Sequence, residues 1–133
     1  MSVDALLPLQ KAIYAALVAD TPLMAVAQGV YDFVPQESTY PYVTIGDDDY
    51  KWWGAMGLDG GEYVVQVDVW SQAEGRSECK TLLGLVAAVL HNGSLTVASN
   101  THISTRLQFQ DTIKEADGFT HHGVQQYKVF LHE

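Results

Sequence analysis

Basic residues are scarce in this chain: seven Lys and Arg stand against sixteen Asp and Glu, a formal net charge of −9. The few cations are spread singly from Lys11 to Lys128 rather than gathered in a stripe, which counts against high-affinity nucleic-acid binding, since a polyanion is held by clustered positive charge. Cysteine is nearly absent as well. The single Cys79 excludes an internal disulfide, and its place on an apolar helix stripe makes it a buried thiol that behaves as a small hydrophobe. No apolar run approaches the roughly 20 residues needed to span a bilayer, and the opening Met1-Ser2-Val3-Asp4-Ala5 lacks the basic start of a secretory signal. A chain made and folded in the cytosol, with no membrane partner, is expected.

Catalytic signatures are missing too. The five histidines do not fall at chelating intervals: His121 and His122 are neighbours on a predicted strand and point to opposite faces, while His91, His102 and His132 lie at element ends. Asp47-Asp48-Asp49 has the charge of a calcium loop without its alternate ligands, central glycine and late glutamate. Gly57-Leu58-Asp59-Gly60-Gly61 has no lysine and opens no helix, so it is not a phosphate cradle. Cys79 has only Arg76 and Lys80 nearby to lower its pKa, and no Ser-His-Asp order emerges. No enzyme, cofactor or metal site is expected.

What the sequence does contain is a single domain over 1–133, in which 47% hydrophobic residues suffice for one core. Its most legible stretch is 62–93. Tyr63, Val65, Val67 and Val69 alternate with polar Gln66 and Asp68, the period of a strand with one buried face. Cys79, Leu82, Leu83, Val86, Ala87 and Leu90 then recur at helical spacing, and Asn92-Gly93 supplies a stop. Ser71 with Glu74 has capping-box spacing; Gly75 opposes it, so the helix starts either there or at Arg76. Ahead of this unit come a helix over 4–19, ordered from about Leu7 because Pro8 suits a first turn, and a short one opened by Thr21-Pro22, reaching about Ala27 and closed by Gly29. Short strands are expected at 30–34 and 42–46. After the unit come a brief strand at 95–98, a longer one at 103–113, a turn at Asp117-Gly118 and a last strand at about 120–132. In the 103–113 strand, Ile103, Leu107, Phe109 and Ile113 should face the core, leaving His102, Ser104, Arg106, Gln108 and Gln110 wet. The fold class is α+β: a mainly antiparallel sheet of about four to five strands, with one long helix (in the unit 62–92), an N-terminal helix pair (4–28) and C-terminal strands (94–132).

Between the strands lies the stretch 47–61, in which neither period holds; it reads as a long loop. Trp52, Trp53, Met56 and Leu58 within it are large and apolar. Such a cluster at a surface either marks contact with a partner or folds back over the domain's own core, and partner contact is the expectation, with the loop ordering only on assembly.

Several short motifs in a fixed order, Ala19-Asp20 and Gly29, Val30-Tyr31-Asp32 with Pro35, Tyr40-Pro41-Tyr42-Val43, and Val67-Asp68-Val69-Trp70-Ser71 followed by Gly75-Arg76, resemble the tail-completion or tail-terminator proteins of long-tailed phages and gene transfer agents. The resemblance implies a virion structural protein at the head-proximal end of the tail. It would be a homo-oligomeric, hexameric ring that caps the finished tail tube, stops its polymerisation and contacts the tail tube protein on one side and a neck or stopper protein on the other. DNA would pass through its lumen without specific binding. Trp52, Trp53, Met56, Leu58 and Arg106 are the expected interface residues. The rival expectation is a small cytosolic ligand-binding or oligomerisation module with a pocket between sheet and helix.

Overall fold

The computed structural model describes residues 5–55 and 57–133, apart from the side chains of Ala55 and Leu58. Two helices, α1 (Leu6–Val18) and α2 (Thr21–Met24), precede a short strand β1 (Val30–Tyr31) and two long strands, β2 (Tyr42–Ala55) and β3 (Leu58–Ser71). Helix α3 (Ser77–Leu90) and strands β4 (Thr101–Lys114) and β5 (His121–His132) complete the chain. The strands form one sheet in the order β1-β2-β3-β5-β4. Only the β1–β2 pair is parallel; the other pairings are antiparallel.

The alternation in β3 and β5 decides which side of the sheet is covered. Tyr63, Val65, Val67 and Val69 of β3 and Tyr127, Val129 and Leu131 of β5 are buried and share one face. Leu9, Ile13 and Leu17 of α1 and Cys79, Leu82, Val86 and Leu90 of α3 close that face into a single core. Each helix presents a stripe one to two residues wide, and each stripe is fully used. The α3 axis comes close to the sheet at Gly123, where a Cβ would lie 2.6 Å from Val69 Cγ2, 2.9 Å from Leu83 Cδ2 and 3.0 Å from Cys79 Sγ. Glycine there lets helix and sheet touch, and leaves no room at that spot for a ligand between them. Buried Gln125 ties the same layers together: its amide donates to the Leu83 carbonyl at 2.9 Å and to Gln110 Oε1 at 3.0 Å, and its oxygen accepts from the Tyr127 hydroxyl at 2.7 Å. A buried amide with its partners supplied avoids the cost of an unmet polar group.

Several boundaries differ from the sequence reading. The expected loop at 47–61 is a β-hairpin. Residues 48–55 of β2 pair with 58–65 of β3 in continuous register, so the loop reading is overturned; the aspartates and glycines that argue against a strand by propensity are outvoted by ladder hydrogen bonds to a well-formed neighbour. Gly60 and Gly61 are required by close approach: a Cβ on Gly60 would meet Trp53 Cε3 at 2.5 Å, and one on Gly61 would meet Tyr50 and Tyr63 Cε1 at 2.6 Å. The alternation in β2 is hidden because a bulge between Ile45 and Asp48 inverts its phase.

Residues 32–34 and 95–98 are not strands; Leu95 and Val97 are buried without pairing. Helix α2 is capped by Asp20, whose carboxylate accepts from Leu23 N at 3.0 Å, rather than by Thr21. Helix α3 starts at Ser77, beyond Gly75, whose φ of 73° is not helical. The capping box does not form, because the Ser71 hydroxyl donates to Glu78 at 2.6 Å instead. At the other end Asn92, with φ of 58°, takes the left-handed conformation assigned to Gly93. The expected helix start at residue 4 lies outside the described residues.

Candidate functional site

With all helices on one side, the other face of the sheet is left to side chains alone. The ladder places Trp53, Lys51, Asp49 and Thr44 of β2 there, together with Glu62, Val64, Gln66, Asp68 and Trp70 of β3. Phe130, Lys128, Gln126, Val124 and His122 of β5 and Ser104, Arg106, Phe109, Asp111 and Ile113 of β4 continue it. Phe109 and Ile113 were expected in the core, with Ile103. They are 50%, 42% and 46% exposed. The physical reason is a pair of register shifts in β4, between His102 and Ser104 and between Leu107 and Phe109. Each extra residue flips the sides on which later side chains emerge. Leu107 stays on the core side with Thr105, which is fully buried, while Gln110, exposed as expected, emerges on the helix side and bonds Gln125.

The helix-free face has two differently built ends. At the hairpin end, Trp53 packs edge-on against Phe130, ring centroids 5.6 Å apart, and remains 41% exposed. At the opposite end aromatic rings run across the sheet: Tyr31, Tyr40 and Trp70 all contact Tyr42, and His122 stacks on Trp70 at 3.8 Å. His122 is also clamped electrostatically. Its Nε2 lies 2.7 Å from Asp68 Oδ1 and its Nδ1 lies 3.0 Å from Glu115 Oε1. A carboxylate can only accept, so both contacts are hydrogen bonds when both ring nitrogens carry protons. Burial alone would lower the pKa of His122, but the hydrogen bond and charge of Asp68, with those of Glu115, raise it above the ordinary value. The two nitrogens face opposite ways, so the trio does not converge on one ion. Among the described residues no group of three or more His, Cys, Asp or Glu could hold a metal.

The residues expected at an interface are placed as follows. Trp52 and Trp53 are adjacent in a strand and therefore point to opposite faces, so they do not form one cluster. Trp52 is on the helix side near the hairpin tip, 58% exposed, with Nε1 donating to Asp59 Oδ1 at 3.2 Å. Trp53 is on the helix-free face. Met56 lies outside the described residues, as does the side chain of Leu58, the first residue of β3. Arg106 is exposed on the helix-free face, opposite Lys128 in the ladder, with no ion pair among the described residues. The structure thus joins Trp53 and Arg106 on one surface and adds Phe109, Ile113 and Phe130. A count of bulges was the missing signal, and alternation alone does not reveal it.

The model of the family described as Tail completion protein gp17 matches residues 11–132. A curated relative, the tail completion protein gp17 of Bacillus phage SPP1, is 28% identical over 116 residues, which cover 87% of this chain and 86% of the relative. Among solved structures, a chain in the virion of a native gene transfer agent particle superposes with a TM-score of 0.86 at 21% identity, covering 94% of this chain and 95% of that one. The structure of bacteriophage SPP1 gp17 superposes with a TM-score of 0.63 at 25% identity, covering 91% and 86%.

Proposed function

The chain belongs to the tail completion protein gp17 family, a family of structural tail proteins and not of enzymes, and on that premise we propose that it assembles as a homo-oligomeric ring, hexameric by family resemblance, on the finished tail tube. The ring ends polymerisation of the tube and joins it to a neck or stopper protein at the head-proximal end, with DNA passing through the lumen. The work is steric. One ring face matches the last tube ring, while the other offers no seat for a further tube subunit, and heterologous contacts that close on themselves generate such a ring.

The observation that carries this reading beyond family membership is the helix-free face. It exposes Trp53, Phe109 and Ile113 beside the cation of Arg106, which has no ion pair among the described residues. This is the mixture of aromatic, aliphatic and Arg side chains found at the centres of protein interfaces. No strand lies beyond β4 in the sheet, and the middle of its outer edge is held by the end of α3, where Asn92 N donates to the Thr105 carbonyl at 2.8 Å and Leu107 N donates to His91 Nδ1 at 3.0 Å. The hairpin of β2 and β3, whose sequence includes Trp52, Met56 and Leu58, is the second contact element. A net charge of −9 suits a wall past which a phosphate backbone moves without being held.

The test is native mass spectrometry at several concentrations, alone and with purified tail tubes. The expected result is a monomer or weak oligomer that becomes a closed ring on tube ends. A stable dimer of fixed mass, unchanged by tubes, would overturn the proposal.

A further inference from the structure

A second site lies at the far end of the β4–β5 hairpin, on the helix side of the sheet. There the segment leading into α3 and the hairpin turn enclose a cavity of about 340 Å³, whose walls include Gln72, Glu74, Arg76, Lys114, Phe119 and His121. Two of the chain's seven Lys and Arg residues meet here. Arg76 is the residue at the N-cap of α3, and it gives the helix no side-chain cap, so the positive end of a 14-residue helix adds to the same field. Glu78 in the first turn offsets part of it, and its carboxylate is engaged by the Ser71 hydroxyl at 2.6 Å.

The independent observation is His121. In the ladder it stands between Ser71 and Lys114, on the face that carries the Ser71–Glu78 contact to α3. It is only 5% exposed, yet its Nδ1 has no hydrogen-bond partner among the described residues. An unmet polar atom this deeply placed is uncommon in a folded protein and calls for a partner. The neighbouring polar groups are already used: Gln72 Nε2 donates to Thr120 Oγ1 at 3.0 Å, and Asp117 accepts from Phe119 N, Thr120 N and the Thr120 hydroxyl.

We infer that this cavity is a binding site for a carboxylate presented by an acidic protein segment. Arg76 and Lys114 would supply the charge, His121 a ring N–H, and Phe119, 56% exposed at the turn, an apolar surface for the aliphatic stem of the incoming residue. A nucleic-acid phosphate is the poorer fit. Glu74 in the cavity wall, Asp117 in the turn and a net charge of −9 repel a polyanion that brings many charges at once, whereas one carboxylate needs only the local pair of cations. This inference does not depend on ring formation.

Titration of the isotope-labelled full chain with a capped triglutamate peptide, with inorganic phosphate and with a short DNA duplex tests it, read from the amide shifts of Arg76 to Cys79 and the ring nitrogens of His121. The peptide should give saturable shifts at these positions. Arg76→Gln and Lys114→Gln, both at exposed positions and so compatible with folding, should each weaken it roughly three- to fivefold, as expected of partly solvated ion pairs. Lys11→Gln, an exposed cation on α1, should leave the affinity unchanged. The inference is overturned if the peptide produces no saturable shift. It is equally overturned if the two substitutions have no more effect than Lys11→Gln, or if phosphate and the duplex saturate the site while the peptide does not.

Discussion

Replacing Gly123 by alanine should destabilise the protein by about 1.5 kcal/mol, because that position is where α3 rests on the sheet. The new methyl would sit 2.6 Å from Val69 Cγ2, 2.9 Å from Leu83 Cδ2 and 3.0 Å from Cys79 Sγ, against the roughly 3.5 to 4 Å at which nonbonded heavy atoms attract. None of the three has an easy escape. Val69 and Cys79 are fully buried and Leu83 nearly so, and a β-branched valine has few χ1 alternatives. Overpacking of this kind costs about 1 to 3 kcal/mol, and the position falls in the upper half of that range because three neighbours must give together. Removing glycine's extra backbone freedom returns about 0.5 to 1 kcal/mol. With an unfolding entropy of roughly 2.1 cal/mol/K per residue, a loss of this size lowers Tm by about 5 °C. Urea denaturation and calorimetry of the purified chain measure both quantities. The Val69→Ala/Gly123→Ala double variant should be less destabilised than the sum of its single variants, by about 0.5 kcal/mol or more, because the closest clash has been removed. A Gly123→Ala protein as stable as the parent, or strict additivity in the double variant, would refute the close seating of α3.

Three further outcomes are expected. Trp53→Ser combined with Phe109→Ser should leave Tm within a few degrees, since both side chains are about half exposed and neither belongs to the core between sheet and helices, yet abolish attachment to tail tubes in a co-sedimentation assay; unfolding of the double variant would place the pair in a core instead. The stabilisation contributed by His122 should be full below its unfolded pKa of about 6.5 and fade as pH rises through the raised folded value. Urea midpoints of the parent minus those of His122→Gln should therefore fall as pH rises above about 6.5, and the subtraction removes the opposite slope from His102, whose pKa burial lowers. Cys79 is fully buried, and burial raises its thiol pKa; a thiol reagent should leave it unmodified in native protein and modify it stoichiometrically in urea.

The parts of the fold legible in the sequence are those in which one uninterrupted period meets one buried face. Tyr63 to Val69 and Cys79 to Leu90 meet that condition, and both elements lie where their spacing puts them. Tyr127, Val129 and Leu131 do as well. The rest was hidden for identifiable reasons. In β2 the bulge after Ile45 reverses the phase just where three aspartates begin, so the outer half of a 14-residue strand reads as a loop. In β4 the apolar residues were placed by parity, and parity does not survive an inserted residue. Of the proposed contact surface, the sequence points to Trp53 as a large apolar side chain in a stretch that reads as a loop, and to Arg106 through its place on the polar side of an alternating strand. Alternation points Phe109 and Ile113 inward, and it does not single out Phe130, since a partly covered aromatic carries no distinct mark in an alternating strand. His121 and His122 were correctly assigned to opposite faces, but the partners of His122, Asp68 and Glu115, come from β3 and from just beyond β4, separations that no local pattern encodes.

The second register shift in β4 has a consequence for how this surface can vary. Gln108 is exposed and adjoins the register shift, so exchanging its side chain should cost little. Its presence as a unit of length is no more tightly fixed. Deleting it would let the ladder run without a shift, with Leu107 still facing the core opposite Tyr127 and Phe109 still facing outward opposite Gln126. A position open to almost any amino acid is thus open to a gap as well. The loss of a residue from a regularly paired part of the strand would turn one side of the alternation onto the wrong face, so this point can absorb a change in length while the two faces keep their separate tasks.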